Sequence, residues 1–395
     1  MKIAIWHENY ISGGSDHSLA DLVNSWPKND KFTVFCNISY KNLINKFSNI
    51  NVSNKNFISL LDILNYLKKN YFVNKILEIT IIKYILSFFI SFILFIFFFF
   101  RINKKYNFVI INNGGYPGGL TSFIILLICT IRNIKNLLIV RNYTYSNYKK
   151  NIILYICRII VNYSGSKVVT VSKSLKRNLI KNAGLKKKMV VAIYDGIDIK
   201  KRVVKAHNKI SINNKYSIGI IGRIEHRKGH HLIVKVWAAV LKKIPHAKLY
   251  IIGSGDAEYI DYLNKRIKKM NISNSIVWIS ETRDIFNYIK KINLIVMPSL
   301  YYESYGRVSV EAMAMKKLIL SSNCGGLREI VKDGYNGFNF RAGNAKDLLK
   351  KIFLVFKEVN KKKIIKNAYN DYIHKYSSDI MSKNYLNLIE NSLER

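Results

Sequence analysis

Short runs rich in Val and Ile recur along this chain, each followed by a longer stretch with helical spacing, and the whole series occurs twice. Strands joined by helix-length connections pair in parallel, since a hairpin turn is not available to them. Strands read at Lys2–Trp6, Lys31–Cys36, Phe108–Asn112, Asn136–Val140, Lys167–Val171 and Val190–Ile193, with helices at Thr121–Ile131 and Asn151–Val161. The stretch from Asn178 to Gly184 closes another helix, with Gly184 just past its C-cap. A second set of strands reads at Tyr216–Gly222, Ala247–Ile252, Ser275–Ile279, Leu294–Met297 and Leu318–Ser321, with helices at His230–Ile244 and Asp256–Met270. The fold class is therefore α/β, with two Rossmann-like doubly wound domains. A chain of 395 residues that is 49% hydrophobic can fill both cores. The domains are expected at 1–200 and 216–376, separated by a polar linker over 201–215. A C-terminal helix over 377–395 is expected to pack back on the first domain. In such sheets ligands bind beyond the carboxyl ends of the strands, so chemistry is sought in those loops.

One segment departs from the alternation. Tyr84 to Phe100 carries no charge, and the apolar character extends back to residue 76, interrupted only by Glu78 and Lys83. Its length is at the lower limit for a spanning helix. A single crossing would strand residues 1–75 and those from 106 onward on opposite sides of a bilayer, yet the strand pattern assigns both to one sheet. The segment 76–100 is therefore expected as a helix or re-entrant hairpin dipping into one leaflet. The alternative is burial against protein, within the chain or in an oligomer.

The charge balance is 64 Lys and Arg against 24 Asp and Glu, a net +40. The lysines are spread along the chain together with many Asn, Ile and Tyr. They are not gathered into a block, so nucleic acid is not the expected partner. An anionic membrane surface is, which implies a cytoplasmic protein held peripherally or monotopically on the inner face of the membrane. Cys36, Cys129, Cys157 and Cys324 form no CxxC pair, so neither a disulfide framework nor a zinc site is expected, and a reduced compartment fits. The opening run Met1–Trp6 lacks a cleavage site and reads as a strand, not a signal peptide. His7, His17, His226, His230 and His231 have no Cys or carboxylate at metal-ligand spacing. They read as structural, with no metal expected. Of these, His7 stands just beyond the first strand.

The sharpest motif runs from Glu303 to Glu311 (ESYGRVSVE), directly after an apolar strand ending Met297-Pro298-Ser299. Two carboxylates eight residues apart on a helix would lie about 12 Å apart along its axis. That is too far for a dyad acting on one bond, and suits two points on an extended ligand. Gly306 permits a ligand close to the backbone, where free amides favour phosphate oxygens.

This segment resembles the E-x7-E motif of glycosyltransferase family 4, whose members have the GT-B fold: two Rossmann-like domains with parallel sheets facing a central cleft. Other stretches are similar to the family pattern in the same order. They are Ser12-Gly13-Gly14-Ser15-Asp16 after the first strand, Val169-Thr170-Val171-Ser172, Tyr194-Asp195-Gly196-Ile197-Asp198, Gly222-Arg223 through Lys228-Gly229, Gly253-Ser254-Gly255, Ser275 through Ser280, and Gly325-Gly326 followed by Glu329. Asp195 stands where the family usually has Asn. Many relatives carry His followed by Asp or Asn after the strand ending at Val140, where this chain has Arg141-Asn142. Arg is always protonated, so it cannot serve as a base there, although it could bind phosphate or an anionic acceptor.

The resemblance implies a retaining, metal-independent hexosyltransferase with no cofactor, using a UDP- or GDP-linked nucleotide-diphosphate sugar as donor. It implies a catalytic set of Glu303, Arg223 and Lys228. Gly13, Gly14, Arg223, Lys228, Ser280, Glu303, Ser304, Tyr305, Gly306, Arg307 and Glu311 would bind the donor. Arg141, Asn142 and Asp16 would touch the sugar or acceptor. Arg223 and Lys228 would neutralise the departing diphosphate, Glu303 would hold sugar hydroxyls, Glu311 the ribose, and the strand ending at Ser280 would meet the nucleobase. The acceptor would be a glycan, lipid-linked in cell-surface polysaccharide or lipopolysaccharide synthesis. Two other functions fit the same outline. A nucleotide-sugar epimerase would need further acid/base groups, and a non-catalytic basic protein of the membrane surface would not need Glu303, Arg223 and Lys228 at strand ends.

Overall fold

In the computed structural model the described residues are all of 1–395 except 11–12, 39–42, 50, 72–73, 76–77, 79, 145–146, 200–211, 213–214, 283 and 395, and except the side chains at 44, 80–81 and 83–84. They divide into two compact units. The first is Met1–Gly196 with Ser378–Arg395, and the second is Ile197–Ser377. Most of the expected linker over 201–215 lies outside the described residues.

The first unit runs β1 (Lys2–Glu8), α1 (Gly14–Asn24), β2 (Lys31–Asn37), β3 (Val52–Phe57), α2 (Leu60–Leu67), α3 (Thr80–Arg101), β4 (Phe108–Asn113), α4 (Thr121–Ile131), β5 (Asn136–Val140), α5 (Ile152–Ser164), β6 (Lys167–Thr170), α6 (Lys173–Asn182) and β7 (Val190–Ala192). The second runs β8 (Ser217–Ile221), α7 (His230–Lys243), β9 (Lys248–Ile252), α8 (Ala257–Lys269), β10 (Ile276–Ile279), α9 (Ile285–Lys291), β11 (Leu294–Met297), α10 (Arg307–Ala314), β12 (Leu318–Ser322), α11 (Leu327–Ile330), β13 (Phe338–Phe340), α12 (Ala345–Lys357) and α13 (Lys361–Asp371), and α14 (Ser378–Leu393) ends the chain.

Both sheets are parallel, in the orders β3-β2-β1-β4-β5-β6-β7 and β10-β9-β8-β11-β12-β13. Each order reverses once, between β1 and β4 and between β8 and β11, and that switch point is where a crevice opens beyond the strand ends. Apolar strand interiors such as Ile3, Ile5, Val34, Ile110 and Ile139 build the first core, and Met381, Tyr385 and Ile389 of α14 complete it. The second core centres on Ile218, Ile220, Trp237, Leu249, Ile251 and Val296.

Two strands escaped the sequence reading. β3 carries the polar string Ser53-Asn54-Lys55-Asn56 on an exposed sheet edge, and β13 is only three residues long. Neither offers the apolar run on which a buried parallel strand is recognised. Gly184, at φ +66°, follows the C-cap Ala183 of α6.

From Thr80 onward the apolar segment is one continuous helix, α3, and not a re-entrant hairpin, while residues 76, 77 and 79 lie outside the described residues. Ile90, Leu94 and Phe98 form its buried stripe, and Phe98 stacks edge-on against Trp6 of β1 at 4.8 Å. Because β1 pairs with both β2 and β4, the chain before and after α3 belongs to one sheet. Among the described residues no helix is long and apolar enough to cross a membrane.

Candidate active site

The loops at the switch point of the second sheet are held by close backbone contacts that only glycine permits. A Cβ on Gly253 would stand 2.1 Å from the Gly222 carbonyl oxygen, and one on Gly255 2.0 Å from that of Ile224. The amide of Ile224 donates to Ser254, and that of Asp256 to Ile224. The chain after β8 is thereby pinned to the chain after β9. It then makes one 3-10 turn, His226–Lys228, closed by Gly229 at φ +75°. A Cβ on Gly229 would lie 2.0 Å from the Pro298 carbonyl oxygen, so this turn packs directly on the end of β11.

That packing brings Lys228 to Glu303. Lys228 Nζ donates to Glu303 Oε2 at 2.6 Å, and Ser299 Oγ donates to the same oxygen at 2.8 Å. Arg227 Nη1 is 3.8 Å away. Burial by itself would raise the Glu303 carboxyl, but Lys228, Arg227 and the Ser299 hydroxyl outweigh it and hold it below the usual carboxylate value. It is a buried, ionised acid with cations on one side. The backbone around it is equally constrained. The Gly326 amide donates to the Glu303 carbonyl at 2.7 Å, and the Ser322 hydroxyl donates to the Ser299 backbone carbonyl at 2.6 Å.

Glu303 is not on the helix. α10 begins at Arg307, after Gly306 at φ +96°, so the expected axial spacing of the two carboxylates does not apply. The Gly306 conformation is disfavoured for residues with a side chain and ends the loop where it stands. Glu311 is on α10, nearly buried, and accepts from Arg307 Nε at 3.1 Å. Ser304 and buried Tyr305 lie in the loop between. Arg223 is exposed and makes no ion pair among the described residues. Ser280 is exposed at the end of β10, three strand positions from β11, which is roughly 14 Å at the usual strand spacing. Sequence reasoning gave no site role to Arg227, which precedes Lys228, or to Ser299, which it named only as the end of the strand before Glu303. No group of three His, Cys, Asp or Glu that could hold a metal occurs among the described residues.

Residues 202–371 match the family model described as glycosyl transferases group 1. The chain is similar to an uncharacterized glycosyltransferase of Methanocaldococcus jannaschii, at 29% identity over 59% of this chain and 62% of the relative. It is also similar to the capsular polysaccharide biosynthesis glycosyltransferase CapM of Staphylococcus aureus, at 27% identity over 69% of this chain and 74% of CapM. The chain thus spans about three-fifths of the first relative's length and three-quarters of the second's. Among solved structures, Anabaena HepE in complex with UDP and glucose superposes with a TM-score of 0.74 at 18% identity, covering 99% of this chain and 100% of that one. Residues 202–371, within the second unit, thus carry the group 1 glycosyltransferase pattern. The fold of the chain is GT-B.

The first unit carries its own buried polar network at the β1/β4 switch point. His7 Nε2 meets Asp16 Oδ1 at 3.1 Å, and Asn112 Nδ2 donates to His7 Nδ1 at 2.6 Å. Arg141 Nε donates to Asn112 Oδ1 at 3.2 Å, its Nη1 donates to Ser18 at 2.7 Å, and it forms an ion pair with Asp195. The two departures noted in the sequence are therefore one feature. Arg141, where relatives carry His, is 6% exposed and is neutralised by Asp195, where they carry Asn. Its charge thus has a buried partner, while its Nη2 is buried without a hydrogen-bond partner.

Asp16 belongs to the same network. It is fully buried, with its oxygens bound to the Gly13 amide at 3.0 Å, to Asn9 at 2.6 Å and to His7. These contacts fix the start of α1. Gly13 has extended backbone with open space where a Cβ would stand, Gly14 opens α1, and Asn142 is exposed.

Proposed function

We propose that this chain is a glycosyltransferase that moves a sugar from a nucleotide-diphosphate sugar to a glycan acceptor, with retention at the anomeric carbon, in cell-surface polysaccharide or lipopolysaccharide synthesis of the family 4 type. The observation that carries the reading is the Lys228–Glu303–Ser299 cluster at the switch point of the second sheet. An ammonium has three donors and Glu303 takes one, so two remain for diphosphate oxygens. Exposed Arg223 adds a second cation nearby in the chain. As the bond from the anomeric carbon to the diphosphate breaks, these charges stabilise the leaving group without reorganising. The acceptor oxygen bonds to the same face of that carbon, and its proton passes to the departing phosphate. Glu303, held ionised, accepts hydrogen bonds from sugar hydroxyls, and Glu311, fixed by Arg307, accepts from the ribose. The strand end at Ser280 meets the base. The reaction needs neither cofactor nor metal.

The name of CapM supports polysaccharide as the product class, and the UDP and glucose in HepE support a nucleotide-linked hexose as donor. Incubation of the purified protein with UDP- and GDP-linked sugars tests the reading. Release of the nucleoside diphosphate from one of them, lost in Glu303→Gln, is expected. Turnover of none, or epimerisation without release, refutes it.

A further inference from the structure

The outer surface of the first unit is apolar over two helices. On α3, Ile85, Phe88, Phe92, Ile96 and Phe100 are 45–72% exposed, opposite the buried stripe. On α5, Ile152, Ile156, Ile159 and Tyr163 are 48–78% exposed. α4 packs between these two helices, so both exposed stripes border one layer. At the C-terminal ends of α4 and α5 lies a cavity of about 670 Å³ lined by Lys135, Lys167, Lys186 and Lys188 together with Asn136 and Ser166, with no carboxylate in its lining. Ser166 is 6% exposed with its hydroxyl unpartnered, and Asn136 Oδ1 is also buried without a partner. Cations border the apolar layer too: Arg101 stacks over Phe97 at 4.1 Å and Arg132 over Phe99 at 4.6 Å.

The charge of this region selects the occupant. From residue 79 to 194 the sequence holds 18 Lys and Arg and no Asp or Glu. A second copy of the chain would bring the same cations face to face across a two-fold interface, which is repulsive. A soluble phosphate would satisfy the cavity but leave the phenylalanines in water. A bilayer containing anionic lipid satisfies both, because its hydrocarbon boundary takes the apolar stripes while its phosphates meet the lysines. We propose that the α3–α5 face docks on an anionic bilayer and that the Lys135/Lys186/Lys188 cavity seats a lipid phosphate, whose neighbouring hydroxyls reach Asn136 and Ser166. The proposal is independent of the reaction above.

The test is co-sedimentation of the full chain, without detergent, with phosphatidylcholine vesicles with or without phosphatidylglycerol. Wild type is expected to prefer the anionic vesicles. Changing Lys135, Lys186 and Lys188 together to Gln should lower that partition on the order of a hundredfold, from three charges near the surface. The same change at exposed Lys362, Lys363 and Lys366 of α13 should have little effect. Phe88→Ser with Phe92→Ser and Ile156→Gln should abolish binding to both vesicle types, with the melting temperature recorded to show that the variant folds. The proposal is overturned by equal losses in the two lysine triples, which would mean diffuse charge alone. It is also overturned by wild type that ignores vesicles, whether as a stable dimer or while binding free glycerol phosphate in the cavity.

Discussion

Replacing Lys228 by methionine keeps the length of the side chain and removes the ammonium that donates to Glu303 at 2.6 Å. The Glu303 side chain is 8% exposed, so water cannot take over that contact. A buried charge deprived of its partner costs about 3–5 kcal/mol. Two features limit the loss. Ser299 still donates at 2.8 Å, with Arg227 at 3.8 Å. The carboxyl can also take up a proton, which at pH 7 costs an ordinary carboxylate about 3.5 kcal/mol. The expected destabilisation of the second unit is therefore about 2 kcal/mol at pH 7.

Its pH dependence has a definite sign. In the wild type the folded-state value of Glu303 is lowered, so the stability it contributes is present above the unfolded value and is lost as pH falls through the lower folded one. The variant lacks this contribution, so the two proteins differ most at neutral pH and converge in acid. Native-state hydrogen exchange of the β8 and β11 amides reads the difference locally. Lys228→Met combined with Glu303→Gln should recover most of the loss. The reasoning is refuted if the single variant loses less than about 0.5 kcal/mol at pH 7, the scale of an exposed pair. The same loss in acid, or no recovery in the double variant, refutes it equally.

Turnover of the donor should fall by roughly 10²–10³ in Lys228→Ala with the fold retained, as for one preorganised charge stabiliser, and wild-type turnover would count against the proposed diphosphate grip. Asp195→Asn leaves the Arg141 guanidinium buried without its counter-charge and should cost about 3 kcal/mol in urea unfolding; adding Arg141→His should restore most of it, and a double variant no better than the single would contradict the paired-substitution account. Gly229→Ala places a methyl 2.0 Å from the Pro298 oxygen at φ +75°, so it should displace the Lys228 turn and lower donor turnover at least tenfold in a steady-state assay; unchanged kinetics would mean that the turn adjusts at no consequence. Transfer should persist in saturating EDTA, and complete loss restored by magnesium or manganese would overturn the proposed metal-free reaction.

Much of the second unit was legible in the sequence, because its strands are continuous apolar runs and its glycines stand at strand ends where backbone meets backbone. Gly229, Gly253 and Gly255 each occupy a place where a Cβ would strike a carbonyl oxygen, and such sites show in a sequence as glycine in a turn. Polar edge strands were not legible, since β3 has little to bury on its outer side and so carries no hydrophobic pattern.

The amino-acid order by itself determined the two parallel sheets, the position of the loops that carry the cluster, and the apolar character of α3, because these follow from periodicity and from local backbone requirements. Partnership between distant residues was decided only by the tertiary structure. Lys228 and Glu303 are 75 residues apart, and Arg141 and Asp195 are 54 apart. No local rule relates them: Lys228 and Glu303 follow the neighbouring strands β8 and β11, and Arg141 and Asp195 follow β5 and β7, which flank β6. Burial then determines what each charge does, since an exposed Arg223 stays open to a ligand while a buried Arg141 must be neutralised within the fold.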